Sequence, residues 1–422
     1  MGQIFKISSM KRRAFLLLFS TFLLIGTGYS QDVTKPKVEV KPYGYVRTDL
    51  IYDTYKNLDV RDGEIIFYPL KEKLDVNGNN VNEQNQLQLL SITTRLGLKM
   101  SGPDVLGAKT SAMVETDFYA TANDLIYQLR LRHAMVNLKW ESSELIVGQY
   151  WHPMFVTETA PSVLTFGAAA AFHALNRSPQ IRYTIYPIQN LRMSFTALSQ
   201  GYHRTKGPTD AQRNSGLPEL VYQIAAGNRK TFIAGINAGY KWLTPRLVTD
   251  SNYVTNQRVG QYEFNTFIMK AFGNTKIKAE AIYGENLTHL NMIGGYGMET
   301  GSLDTSTNRY NYANLRTLST WIDISHSIKK LDFGLFVGYT KQMGSNKKYT
   351  QISSSYERNA DMNYVYRISP RFSYTIENFK LSAEYMITTS VYGKTFDDKQ
   401  KATSSYDPVS DNRITLSASY TF

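Results

Sequence analysis

The last twelve residues, DNRITLSASYTF (Asp411–Phe422), alternate strictly. Ile414, Leu416, Ala418, Tyr420 and Phe422 fall on one side, and Thr415, Ser417, Ser419 and Thr421 on the other. A period of two is the strand period, so one side of this segment meets an apolar medium and the other a polar one. A strand with an apolar outer side and a wet inner side belongs to a sheet closed on itself in a membrane.

The totals fit such a sheet. The chain has 422 residues, and 42% are hydrophobic. After residue 25 it holds no long apolar run, which excludes a helical membrane protein. It nevertheless carries 30 Tyr and 20 Phe. A membrane barrel hides its hydrophobicity in this way, because every second residue faces water, and its aromatic residues form interfacial girdles. A secreted all-β protein is the alternative. Cysteine is absent, which excludes disulfides, thiolate metal sites and a cysteine nucleophile.

Residues 1–30 read as a secretory signal: Lys11-Arg12-Arg13, an apolar core from Ala14 to Ile25, and small residues before a cleavage site near Ser30-Gln31. Residues 31–42, rich in Lys and Pro, read as a disordered lead-in, and 43–422 as the barrel. The formal net charge is +12, and without the four basic residues of the leader it is +8. A basic balance suits nucleic acid, anionic lipid or anionic solutes, and the positions of the charges decide among them.

From Tyr43 onward the alternation predicts sixteen antiparallel strands, near 43–54, 88–100, 106–118, 126–140, 143–150, 179–187, 190–202, 218–226, 231–242, 257–272, 275–287, 314–328, 331–343, 361–376, 378–392 and 411–422. The connections after even strands are short, such as Glu141-Ser142, Gly273-Asn274 and Lys329-Lys330. Those after odd strands are long and rich in Asn, Asp, Ser, Gly and Lys, apart from 119–125. Short periplasmic turns alternating with long external loops are the barrel arrangement. On 275–287, Ile277, Ala279, Ala281 and Tyr283 alternate with Lys276, Lys278 and Glu280. A ring of sixteen strands is too wide for side chains to fill, so the charged side lines an aqueous lumen. The fourth strand changes phase at Arg132-His133, which predicts a bulge.

Projected inward, the strands supply Arg47, Asp49, Arg95, Lys99, Glu115, Asp117, Arg130, Arg132, Arg182 and Arg192, with Arg367 and Arg371 from the fourteenth. Six of these arginines come from the first seven strands, and are expected to form one wall whose field selects ions. The plain alternative is solvated lumen residues paired with Glu115 and Asp117. The third external loop, 151–178, is WHPMFVTETAPSVLTFGAAAAFHALNRS. It is apolar, small-residue-rich and holds one acid, Glu158. It is expected to fold into the bore, with Trp151, His152, Glu158, His173 and Arg177 at a constriction and a short helix at Ala168–Ala171. Packing on a neighbouring subunit is the alternative.

The terminal strand resembles the closing strand of Gram-negative outer-membrane barrels. In that resemblance Tyr420 and Phe422 carry the signal for the barrel assembly machinery. Six further segments resemble the bacterial porin superfamily, and within it the DcaP-like trimeric porins. They are GYVRTDLIYD (Gly44–Asp53), TRLGLK (Thr94–Lys99), VETDFY (Val114–Tyr119), RLRHAMVNL (Arg130–Leu138), VGQYWHPMF (Val147–Phe155) and RSPQIRY (Arg177–Tyr183). They cover the first half, and the second half matches in pattern. The resemblance implies a homotrimer of sixteen-stranded barrels in outer-membrane lipid and lipopolysaccharide, with the third loop folded inward, passing small, often anionic solutes. The family's strand charges carry over as Arg47, Asp49, Arg95, Glu115, Asp117, Arg130 and Arg182. Trp151-His152-Pro153 departs from a more polar family pattern.

Other chemistries fit less well. A rim lipase, protease or acyltransferase needs a Ser-His or Asp-His pair, and the six histidines have no acid at a fixed spacing. His152 and His173 share a loop, but no third metal ligand is evident, so no metal and no cofactor are expected. The short lead-in leaves no room for the plug of an energised transporter. Basic residues alternating with apolar ones face a lumen, not nucleic acid. A passive channel is therefore expected, with a plugged structural or adhesive barrel as the rival.

Overall fold

The computed structural model describes residues 38–422. The signal segment, its cleavage site and most of the lead-in lie outside the described residues. Sixteen strands make the wall: β1 (Glu39–Asp53), β2 (Gln86–Leu90 and Arg95–Ser101), β3 (Lys109–Asp117), β4 (Arg130–Lys139), β5 (Ser143–Trp151), β6 (Arg177–Ile188), β7 (Leu191–Leu198) and β8 (Glu219–Asn228). The second half supplies β9 (Phe232–Leu243), β10 (Val259–Phe272), β11 (Thr275–Glu285), β12 (Tyr312–Ile328), β13 (Leu331–Ser345), β14 (Met362–Ile376), β15 (Phe379–Phe396) and β16 (Val409–Thr421).

Each strand pairs antiparallel with its neighbours in sequence. β1 closes the ring by pairing with β16, Leu50 opposite Leu416. At the seam Gly44 and Phe422 exchange two backbone hydrogen bonds of 3.1 Å. A methyl group on Gly44 would meet the Arg95 carbonyl oxygen at 2.2 Å and the Phe422 ring at 2.9 Å, so the seam admits no side chain there.

The alternation read from sequence sets the two sides of the wall. Val46, Leu50, Val147, Ile181, Ile268, Ile322, Leu335, Ile368, Leu381 and Leu416 stand exposed on the outside. Asp49, Glu115, Glu263, Asp323, Glu384 and Arg413 are buried inside. An exposed apolar belt around a ring of satisfied backbone is a membrane-spanning surface. The bulge in β4 is present. Glu115 pairs with His133 and Thr116 with Leu131, so Arg132 is the extra residue, and it turns inward together with Arg130 and His133.

Several boundaries differ from the sequence reading. β1 starts at Glu39, four residues before Tyr43, and takes in the end of the expected lead-in. β2 is broken at 91–94, where Thr94 bonds to the β1 backbone through its side chain. The Ala168–Ala171 run forms turns rather than a helix, and Ala168 and Ala169 hold positive φ of 47° and 62°. A short side chain limits the strain of that conformation.

Three external connections turn into the bore. The first, 54–85, carries a hairpin of Asn57–Val60 and Ile65–Pro69. The third, 152–176, crosses the lumen. The sixth, 286–311, places the turn Leu287–Leu290 inside. Ile65, Phe67 and Tyr68 of the hairpin pack with Ala169–Phe172 and Leu175 of the third loop, and with Trp321, Phe336 and Val365 of the opposite wall. Gly338 leaves the space that the Phe172 ring occupies. Loop 54–85 thus contributes an apolar wedge to the interior. The third loop packs within its own barrel, which removes the alternative of packing on a neighbour.

Candidate functional site

The third loop is held by acids on the wall it crosses. Asp323 of β12 accepts the Ser162 N–H at 2.9 Å, and Glu384 of β15 accepts the N–H groups of Leu164 and Thr165 at 2.7 and 3.2 Å. The Thr165 hydroxyl donates to the same carboxylate at 2.6 Å. His173 meets Glu280 at 3.0 Å. Arg367, expected in the lumen, is buried instead and clamps both loops, donating to the carbonyl oxygens of Ala170 (3.0 Å) and Phe67 (3.1 Å). Arg371 pairs with Asp323 at 2.6 Å.

Beside this loop lies a cavity of about 740 Å³, lined by the first and third loops, by Asn291 of the sixth, and by residues of β1, β2, β4, β5 and β6. Arg47, Arg95, Arg130 and Arg132 line it. Cross-strand pairing brings their acids beside them. Arg130 holds Asp117 with two hydrogen bonds of 2.6 and 3.0 Å. Arg132 bridges Glu115 (2.6 Å) and Asp117 (2.9 Å), and Arg95 lies 3.6 Å from Glu115. Arg47 pairs with Asp49 at 2.9 Å and donates to the Leu164 carbonyl at 2.7 Å. These four are largely compensated by neighbouring acids. Lys99 sits apart, exposed near the turn end of β2 and over the Tyr43 ring.

The expected single arginine wall is split. Arg182 and Arg192 do not reach the cavity. They line a smaller space on the other side of the third loop, together with Glu144 and Glu158. Arg192 and Arg229 reach Glu158 at 2.5 and 3.0 Å. Burial alone raises the Glu158 pKa, and these two cations overcome it, holding the carboxyl at about 2. Arg182 donates to the Trp151 carbonyl at 2.5 Å. Trp151 separates the two spaces, stacked on Phe155 at 3.9 Å with Arg177 4.7 Å from its ring. That spacing is within cation–π range.

The cations without a carboxylate partner come mainly from loops, and the strand pattern did not show them. Arg61, in the first loop, donates to the carbonyl oxygens of Tyr119 and Ala120, to Asn123 and to the Tyr202 hydroxyl. Arg358 donates to the carbonyl oxygens of Thr288 and Met292, with its guanidinium 4.8 Å from the Phe67 ring. Lys206, burdened by burial and then by Arg358, has a lowered pKa. Arg177 has no carboxylate within ion-pair distance among the described residues. The cavity acids are fewer: Asp59, Glu357 and Asp361. Burial and then Arg177 push His203 well below its ordinary value, so it adds no charge at neutral pH. Among the residues that line the cavity, cations outnumber acids.

The sequence puts only His173 in the same loop as His152, with no third ligand, and in the fold His173 goes to Glu280 instead. The fold brings His152 to Glu219, Glu263 and His289, whose ligand atoms all lie within 4.8 Å of one another. Tyr420 and Phe422, the expected assembly signal, face outward at the seam and are half exposed.

The wall, its order and its inward third loop can be compared with solved structures. The channel DcaP of Acinetobacter baumannii superposes with a TM-score of 0.67 at 18% identity, covering 94% of this chain and 100% of that one. The chain has the porin fold. OmpT of Vibrio cholerae, in its trimer form, gives 0.55 at 12% identity, covering 91% of this chain and 99% of that one. The anion-selective porin from Comamonas acidovorans gives 0.54 at 12%, covering 92% and 100%. No protein-family model matches the chain, and no curated protein is found similar to it in sequence. At such identities the likeness is one of fold, and the chemistry must be argued from this chain's own residues.

Proposed function

We propose that the protein is an outer-membrane porin, a passive channel for small hydrophilic anions, working as a homotrimer in lipid and lipopolysaccharide. The observation that carries this is the excess of unpaired cations at the loop constriction: Arg61, Arg177, Lys206 and Arg358 face a cavity with fewer acids. A positive field in a narrow aqueous bore concentrates anions and repels cations, so ions are sorted without any bond being made or broken.

The direct test is the reversal potential of the refolded protein in a planar bilayer with a potassium chloride gradient. Anion preference, weakening at high salt as the fixed charges are screened, supports the reading. Steps in threes support the trimer. Cation preference would refute the assignment of charge. A lack of conductance would favour the plugged, structural barrel, a reading that the apolar interior shared by the first and third loops keeps in view.

A further inference from the structure

Glu219, Glu263, His152 and His289 come from four separate elements and are all fully buried. Glu219 begins β8, and Glu263 lies on β10. Lys241 of β9 stands between them, 3.4 Å from Glu263. Gly239, paired with Glu263, leaves the room its side chain fills. His289 belongs to the inward turn of the sixth loop, and His152 opens the third loop.

The polar atoms here satisfy one another only in part. Glu219 Oε2, Glu263 Oε1 and both ring nitrogens of His289 lack any hydrogen-bond partner. Buried groups of this kind are costly unless something fills the space between them. The two carboxylates carry one more negative charge than Lys241 offsets, so the buried cluster is negative and attracts a cation. His289 Nε2 lies 3.4 Å from Glu219 Oε1 and 3.1 Å from Glu263 Oε2. Bonds of about 2.0–2.1 Å to a tetrahedral metal would set ligand atoms roughly 3.3 Å apart. His152 has a different part. Its Nδ1 accepts the Met154 N–H at 3.2 Å, so its Nε2 keeps a proton and donates it to Glu219 at 2.8 Å. That proton makes His152 an orienting group rather than a ligand.

We propose that Glu219, Glu263 and His289 bind one divalent transition-metal cation of the zinc class, with His152 steering Glu219. One of the two unpartnered carboxylate oxygens, Glu219 Oε2 or Glu263 Oε1, supplies the fourth contact. One imidazole and two carboxylates suit such an ion better than the all-oxygen shell preferred by calcium or magnesium. The ion ties the sixth loop to the wall at His289 and, through His152, fixes the root of the third loop.

The test is to refold the full chain with and without zinc chloride, desalt it, and measure metal by mass spectrometry beside the thermal transition. One zinc per chain with a higher transition temperature is expected. E263Q and H289Q should each lose the zinc while keeping the barrel's heat-modifiable migration. H152A should keep the site, with affinity weaker by about 10–100-fold. Zinc retained equally by the E263Q/H289Q double variant, or none retained by the native chain, overturns the proposal. In the second case the missing positive charge is a proton on His289. If the variants do not fold, X-ray absorption at the zinc edge of the native protein decides, since a shell without imidazole is incompatible with the site.

Discussion

The Thr165 hydroxyl donates to the Glu384 carboxylate at 2.6 Å, tying the tip of the third loop to β15 on the far side of the bore. The same carboxylate takes the N–H groups of Leu164 and Thr165. Hydrogen bonds to a charged group contribute roughly 1.5–3 kcal/mol each. E384A should therefore free the loop tip while the wall, held by its ladders, stays closed. The expected outcome is a larger and noisier single-channel conductance, and an unchanged current would show that the loop is held by its apolar contacts alone.

Selectivity should follow the unpaired cations more than the paired ones. A unit charge about 7 Å from a passing ion in water-like surroundings is worth roughly 0.6 kcal/mol, or about threefold in local anion concentration. R177Q and R358Q should each lower the anion-to-cation permeability ratio by about that factor. R182Q, on the other side of Trp151, should change it less. Reversal potentials of the three variants in one salt gradient check the ranking.

The cavity should respond to pH through the first loop. Burial, set against Arg413, raises the Asp59 pKa to about 6. Below that pH the carboxyl is neutral, and above it a negative charge joins the lining, so anion preference should fall as pH rises from about 5 to 7. The unfolded chain releases this proton near pH 4. The native state then holds the extra proton between about pH 4 and 6, and the group's contribution to stability falls as pH rises through that window. D59N should flatten both effects, as reversal potentials and thermal transitions taken at pH 5 and pH 7 would show.

Phe172 is fully buried where the first and third loops meet Trp321 and Phe336. Removing a buried phenylalanine costs about 3–5 kcal/mol. F172A should lower the stability of the interior without altering the outer apolar belt. Protease nicking within 54–85 or 152–176 before loss of barrel migration on a gel is the expected sign.

What the sequence made legible was whatever obeys the strand period. Leu331, Phe333 and Leu335 face out because side chains alternate along a strand, and the phase change at Arg132-His133 is a real bulge. The third loop betrayed its inward course by composition. The first loop carried a similar signal in Ile65-Ile66-Phe67-Tyr68, an apolar run inside a polar connection, whose meaning shows only once the loop is packed. Arg61, Lys206 and Arg358 gave none. Loop residues have no period, and their place is set by contacts with distant segments. The same reason hid the meeting of His152 with His289, 137 positions apart in a chain whose local pattern links neither.

The seam between Gly44 and Phe422 joins the two ends of the described barrel. Contacts that close so long a loop form slowly. Until β16 is in place between them, β1 and β15 are both open edges, ready to pair with any strand that passes. A nearly complete cylinder therefore has to be shielded until those two strands are joined, and the protection can end only when the ring shuts.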